Sequence, residues 1–487
     1  MNERSGSPGG NALHSAAITA AAIVALNGAA AVSAIVFAHH FGRTPQTDGV
    51  SLALNVYLVL VLAAGALRVV VLPDLTRAAA EGSWERVAAG YAASLGLVTA
   101  VLLGLALVGA VLVATLASGG TAHAFAVSLP LFALAGCLQL FAGLAASVLA
   151  AFGNYTVAAY GFMAAGIAGL GVFLATISSG PAALALGLTV NASIAAGVPV
   201  VAALRRRAAR GTGDLALRAR FAQLAQGAAL PLALQALYAI AAPLALRHGH
   251  GAATTFLYAY TFAAFLVAVT ATSLALISTA SLTRRGVTPE EAARHVVETS
   301  WVSLTVIAAA VGVFSLVGGR LVAALLGGAY SGEVGRQLGH VVVALGPWMF
   351  FATALTVAFP LLFVLEKPRV LVPLAIVLPI VQIPLAYVLG RFFGLEGLAV
   401  SLAVTTAGAL VVLMAALSRR ALAIVASGLA RVAVVVLAIA LVAFVVPSLV
   451  LDGIAAAVVG VVVYCVLLAL GRRLGFAQAL AYARALH

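Results

Sequence analysis

The sequence predicts an all-α polytopic membrane protein, and three observations carry that prediction. A soluble domain is about half apolar and a quarter charged, whereas here 64% of residues are hydrophobic and 8% charged, with a mean hydropathy of +1.18. Apolar stretches of the roughly 20 residues needed to cross about 30 Å of hydrocarbon recur along nearly the whole chain, separated by short polar breaks. The alternation of a membrane β-barrel is absent, which leaves helices to satisfy the backbone in lipid.

Taken in chain order, fourteen spans are expected, near 13–39, 50–72, 87–117, 123–151, 156–178, 182–204, 222–246, 254–283, 296–326, 339–365, 370–390, 396–418, 430–450 and 453–474. Residues 1–12 form an N-terminal tail and 475–487 a C-terminal one. The tail "RRLGFAQALAYARALH" would make a short interfacial helix with Phe476, Leu480 and Ala483 toward lipid. The first twelve residues are polar and small, and the span that follows is as long as the others, so it is expected to stay in the membrane rather than act as a cleaved signal.

The net charge of +13 raises the question of nucleic acid, and the distribution of charge answers it. With the N-terminus inside, 20 of the 26 Lys and Arg fall in cytoplasmic breaks and tails, including six between Arg205 and Arg220. Five fall outside, namely Arg43, Arg247, Arg320, Arg336 and Arg391, and Arg68 lies within a span. That asymmetry predicts cytoplasmic N- and C-termini. The basicity is orientation and contact with anionic lipid, with no nucleic-acid partner. Cys137 and Cys465 both lie inside spans, so neither a disulfide framework nor a metal site is expected. The nine histidines are scattered, with His39, His40 and His248 to His250 at outer helix ends as wet interfacial residues.

An internal repeat organises the spans. "LTR" at 75–77 returns at 282–284, each at the cytoplasmic end of a span, an offset of 207 residues. The same shift carries spans one to six, 13–204, nearly onto spans seven to twelve, 222–418. Two six-helix lobes in parallel orientation are therefore expected, joined by the basic linker 205–221 and followed by an added pair of helices at 419–474. Parallel repeats of this kind meet about an axis along the membrane normal, with the substrate path between them.

The breaks carry helix punctuation. In "TPEEAARH" Thr288 caps, Pro289 takes the first turn and Glu291 stands three past the cap, which predicts a short amphipathic helix before span nine. "EGSWERV" does the same before span three, with Trp84 at the headgroup level, and Asp48 is expected to cap a loop before span two. Pro231 should kink span seven because it lacks an N–H.

Polar groups inside apolar spans are the candidate site. Tyr57, Val61, Ala64 and Arg68 share one stripe of span two at 100° per residue, and that stripe would line a cavity. Asn27 lies in span one, Asn55 near the outer end of span two, Gln226, Gln235 and Tyr238 flank Pro231, and Tyr258 and Tyr260 open span eight. For each amide the competing role is a hydrogen bond between packed helices. Arg68 has its own alternative, snorkelling to the inner headgroups as an anchor.

The breaks "FGRTPQTDGVSLALNVYLVL", "VLPDLTRAAAEGSWERV", "LVGGRLVAALLGGAYSGEVG" and "GRFFGLEGLAVSLAVTTAG", in that order, resemble polysaccharide flippases of the multidrug, oligosaccharidyl-lipid and polysaccharide exporter superfamily. The resemblance implies movement of undecaprenyl-pyrophosphate-linked sugars, including the peptidoglycan precursor lipid II, by alternating access. It implies that spans one, two, seven and eight line a central cavity, that Arg68 meets the carrier pyrophosphate, and that the Asn, Gln and Tyr groups meet sugar. Lipid II flippases carry cavity arginines in spans one, two and eight. Here span one has none and the other neighbourhoods read "ALNVYL" and "LYAYTFAAF", so lipid II and other carrier-linked glycans both stay open.

The implied partners are the glycolipid, membrane lipids and the glycan polymerase or glycosyltransferases that act on the same carrier, in a bacterial inner membrane and with no cofactor. A multidrug or cation antiporter of the same superfamily is the alternative. It would be expected to hold a carboxylate within a lobe, whereas Asp48, Asp74 and Glu298 sit at span ends. An enzyme would need a large exposed loop to assemble its catalytic groups, and the longest outer break is about a dozen residues.

Overall fold

The computed structural model describes residues 25–26, 28–152, 154–205, 217–268, 270, 288–365 and 367–471. These are helical almost throughout, with no strand among the described residues. The chain divides into two compact units, Met1–Gln235 and Ala236–His487. The tails and most of the basic linker lie outside the described residues, and the division falls inside the seventh helix rather than in the linker.

Unit 1 contains α1 (Gly28–Phe41), α2 (Pro45–Ala80), α3 (Trp84–Leu116), α4 (Gly120–Ala151), α5 (Tyr155–Thr176), α6 (Ala183–Leu204) and most of α7 (Leu217–Ala245), which runs as one helix through Pro231. Thr44 starts α2: its side chain accepts from the Thr47 N–H, the Thr47 hydroxyl accepts from the Thr44 N–H, and Pro45 fills the first turn. The second span thus begins at 45, not 50. Asp48 is not a loop cap but a buried first-turn residue of α2, where the exposed N–H groups of the helix end favour an acid.

Helix α4 is the centre of this unit, with most of its length buried. In a membrane, small residues let helix backbones approach, and α4 uses them against α2. A Cβ on Gly136 would lie 2.6 Å from the Leu60 Cβ, and one on Gly143 would lie 3.1 Å from the Ala64 carbonyl oxygen. Past Arg68, α2 continues for three more turns and packs Val71 and Leu75 with Trp84, Tyr91 and Leu149. The Tyr91 hydroxyl donates to Asp74 at 2.7 Å. Trp84 is therefore buried, edge-on to Phe152 at 5.5 Å, rather than at the headgroups as expected, because the extension of α2 covers it.

Unit 2 contains α8 (Ala252–Val267), α9 (Pro289–Leu326), α10 (Gly332–Ala344), α11 (Gly346–Val364), α12 (Leu371–Leu417), α13 (Arg419–Ser448) and α14 (Gly453–Leu470). The expected capping box at Thr288 and Glu291 is present. It opens one continuous 38-residue helix, not a separate short one, because nothing between 289 and 326 interrupts the hydrogen-bond ladder. The tenth span starts at Gly346, not 339. The residues before it form the amphipathic α10, and Pro347 lies in the first turn of α11, where its missing N–H is harmless.

Helix α12 is two spans joined at Gly394, whose φ of +63° is open to glycine and strained for other residues. Gln382 locks the halves, donating to the Ser401 hydroxyl at 2.9 Å and accepting from Thr405 at 2.6 Å. The pair α13 and α14 packs on α9. Phe444 seats against Gly312 and Gly460, and the Tyr464 hydroxyl donates to the Thr305 carbonyl at 2.9 Å.

Among the described residues twelve of the expected spans are matched in order, and the first and eighth are described only in part. Eleven helices are long and apolar enough to cross a membrane, one of them is the merged pair at Gly394, and Gly28–Phe41 and Ala252–Val267 are shorter apolar helices. Pro45 and Ala252 start helices 207 residues apart, and Trp84 and Pro289 start helices 205 apart.

Candidate functional site

In unit 1 three members of the stripe, Tyr57, Ala64 and Arg68, touch α4. The Tyr57 ring lies 6.4 Å from Phe132, the Ala64 carbonyl abuts Gly143, and the Arg68 Cγ would stand 3.4 Å from a Cβ at Gly143. Tyr57 is half-buried and Arg68 is in the exposed class. Arg68 makes no hydrogen bond or ion pair among the described residues. At about 1.5 Å per residue Arg68 stands roughly 34 Å along α2 from Pro45, with the apolar residues Val69 to Leu72 following it in the sequence.

The Tyr57 hydroxyl hydrogen-bonds the Gln139 side chain, and Gln139 donates from Nε2 to Asn191 Oδ1 at 3.3 Å. These three groups run from α2 through α4 to α6. The Thr189 hydroxyl reinforces the last step by donating to the Leu131 carbonyl at 3.1 Å. Gln139 and Asn191 were not singled out in the sequence, although an amide in an apolar span was the available signal. Asn55 is buried, donates to the Ser51 carbonyl at 3.3 Å, and leaves its Oδ1 without a partner among the described residues. Asn27 lies outside the described residues.

On α7, Gln226 is half-buried, while Gln235 is buried with its Nε2 unpaired among the described residues. In unit 2 the structure brings Tyr238 and Tyr260 together. Their rings stack at 4.1 Å and 12°, Phe256 also stacks with Tyr238 at 5.8 Å, and Trp348 of α11 lies 5.0 Å from Tyr260. Tyr258 meets Tyr330 edge-on at 5.4 Å. All are buried, so this cluster is a packed aromatic wall between α7, α8 and α11. Trp348 and Phe256 belong to it and were not anticipated. Among the described residues no group of three or more His, Cys, Asp and Glu is placed to hold a metal.

No family model matches the chain. No curated protein matches it either. Solved structures do, by fold alone, and several of them are of the MOP-superfamily transporter class. An inward-facing multidrug resistance MATE transporter of that superfamily aligns with a TM-score of 0.62 at 13% identity, over 84% of this chain and 94% of its own. An outward-facing one aligns at 0.51 and 13%, over 86% and 93%. Within the class, the lipid II flippase MurJ in an inward closed conformation aligns with a TM-score of 0.75 at 11% identity, over 93% of this chain and 98% of its own. The chain is a multi-pass, all-α membrane protein with the fold of this superfamily, as the resemblance implied.

Proposed function

We propose that the chain is a flippase moving a polyprenyl-pyrophosphate-linked oligosaccharide or peptidoglycan precursor across a bacterial inner membrane by alternating access, with both termini cytoplasmic. The observation that carries this reading is Arg68. A cation within an apolar run and with no carboxylate partner among the described residues is costly and usually faces water or a ligand. A carrier pyrophosphate matches the planar donor fork of arginine. Gly143 leaves room for the stem to lie flat on α4, so the guanidinium is held outward. The overall likeness to a lipid II flippase supports the same reading. Tyr57 and Gln226 keep partial exposure and would meet sugar first. Asn27, Asn55, Gln235, Tyr238 and Tyr260 complete the sugar-facing set in the reading, the buried ones acting once substrate entry rearranges their packing. Partner enzymes would be the glycosyltransferases that load the carrier and the polymerase that consumes it.

The alternative is a multidrug or cation antiporter, favoured by the MATE likeness. Native mass spectrometry of the purified protein separates the two. A co-purifying polyprenyl-pyrophosphate glycolipid whose occupancy falls in Arg68→Ala supports the flippase. Bulk phospholipid alone in both forms, with small cations raising thermal stability, supports the antiporter.

A further inference from the structure

Two arginines in unit 2 converge on one phenol. Arg247 comes from the short turn Leu246–His248 that ends α7, and Arg391 lies one turn beyond Tyr387 on α12. The Arg247 guanidinium carbon stands 4.8 Å from the centre of the Tyr387 ring, and Arg391 lies close enough to the same phenol to act on it electrostatically. The kink at Gly394 makes the meeting possible, because it folds the junction of the two α12 spans against His248, whose Nδ1 lies 4.0 Å from where a Cβ of Gly394 would be. All three side chains are exposed.

Neither arginine has a carboxylate within ion-pair distance among the described residues. The nearest acid along the chain, Glu396, lies 3.8 Å from His340 instead. Two like charges beside one neutral phenol repel each other, and a neutral group does not offset that. An anion seated between them does, and two guanidinium groups with a phenol donor suit the oxygens of a phosphate. The surroundings say where the phosphate comes from. Ile383 and Ile380 lie one and two turns from Tyr387 on the same face of α12, 55% and 61% exposed, and Phe392 and Phe393 beside Arg391 are 73% and 67% exposed. A charged end above a bare apolar stripe has the shape of a phospholipid, headgroup and acyl chain together.

We propose that Arg247, Tyr387 and Arg391 form a binding site for the phosphate group of an anionic phospholipid, with the acyl chain lying along Ile380 and Ile383. On the charge asymmetry of the breaks this end of the unit faces the outer leaflet. The site takes a structural or regulatory lipid and does not depend on which substrate the protein carries.

The test uses the delipidated full-length protein in neutral detergent, titrated separately with phosphatidylglycerol, phosphatidylcholine and inorganic phosphate while native mass spectrometry counts bound molecules. The wild type should bind one phosphatidylglycerol more tightly than phosphatidylcholine. The double variant Arg247→Gln/Arg391→Gln should lose that preference, with affinity falling about tenfold, while Arg336→Gln, whose arginine is paired with Glu333, should not. Should the double variant fail to fold, Arg391→Lys keeps the charge but loses the planar fork and should bind about threefold more weakly. Equal phosphatidylglycerol affinity in wild type and these variants would overturn the site. Displacement of the lipid by millimolar inorganic phosphate would overturn the lipid assignment, because the apolar stripe would then contribute nothing.

Discussion

In Met1–Gln235 the polar side chains between helices are joined in a line, Tyr57 to Gln139 to Asn191, and an exposed cation, Arg68, stands three turns before the end of α2. In Ala236–His487 the space behind α8 is filled with rings, Phe256, Tyr238, Tyr260 and Trp348. At the 207-residue offset the first three positions become Ala264, Gly346 and Leu398, and Tyr238 and Tyr260 look back to Ala31 and Ala53. A repeated order of helices therefore holds two different chemistries. The first unit is arranged to order hydrogen-bonding groups and leave a charge available, and the second to present flat apolar faces of low conformational freedom.

The widest gap between the units should open when a ring is removed. Tyr238→Ala deletes the middle of the stack and leaves a void lined by Phe256 and Tyr260, a loss of about 3 kcal/mol read by thermal unfolding in detergent, while Tyr238→Phe should stay near the wild type. If Phe and Ala behave alike, the hydroxyl rather than the stack holds unit 2 together. Next in size is Gly143→Leu, which drives a branched side chain into the Ala64 carbonyl and the Arg68 stem. Overpacking there should cost about 2 kcal/mol, and protease cleavage should localise the loosening to unit 1. Gln139→Leu cuts the polar line at its centre. Interhelical hydrogen bonds in membranes are modest, about 0.6 kcal/mol on average, so a loss near 1 kcal/mol is expected for two of them. A double-mutant cycle of Gln139→Leu with Tyr57→Phe should show coupling, and strict additivity would mean the two are independent.

Most of the fold was legible before any coordinates. Helical spans in a membrane announce themselves by length and apolarity, and the twelve that the described residues cover came out in the expected order because lipid leaves the backbone few alternatives. Their ends were less legible. Thr44 and Pro45 carry a start signal as plain as Thr288 and Pro289, yet the acidic Asp48 inside the first turn disguised it as loop. Residues 339–344, the second half of α10, were merged into the tenth span because amphipathic and apolar helices grade into one another at Gly346 and Pro347.

Site residues were legible as residue types but not as neighbours. Arg68 was conspicuous as a charge in an apolar run, whereas its place along α2 depended on where that helix begins. The Gln139–Asn191 contact joins helices 52 residues apart, and no local period encodes that distance. Trp348 and Tyr260 meet for the same reason, through the packing of α11 on α8.

Arg68→Ala should have the smallest effect on stability, within about 0.5 kcal/mol, because the side chain is exposed and unpartnered among the described residues. The same substitution carries the largest functional expectation. The decisive measurement is translocation of a fluorescent polyprenyl-pyrophosphate glycolipid in proteoliposomes, scored by reduction of the label in the outer leaflet, with wild type and Arg68→Ala compared at equal folded content. The account predicts that wild type equilibrates the lipid between leaflets and that Arg68→Ala slows this about tenfold or more, as loss of one charge-assisted pair implies. Equal rates in the two proteins would contradict it and leave Arg68 an anchor. No transfer by either would contradict the carrier-lipid function itself.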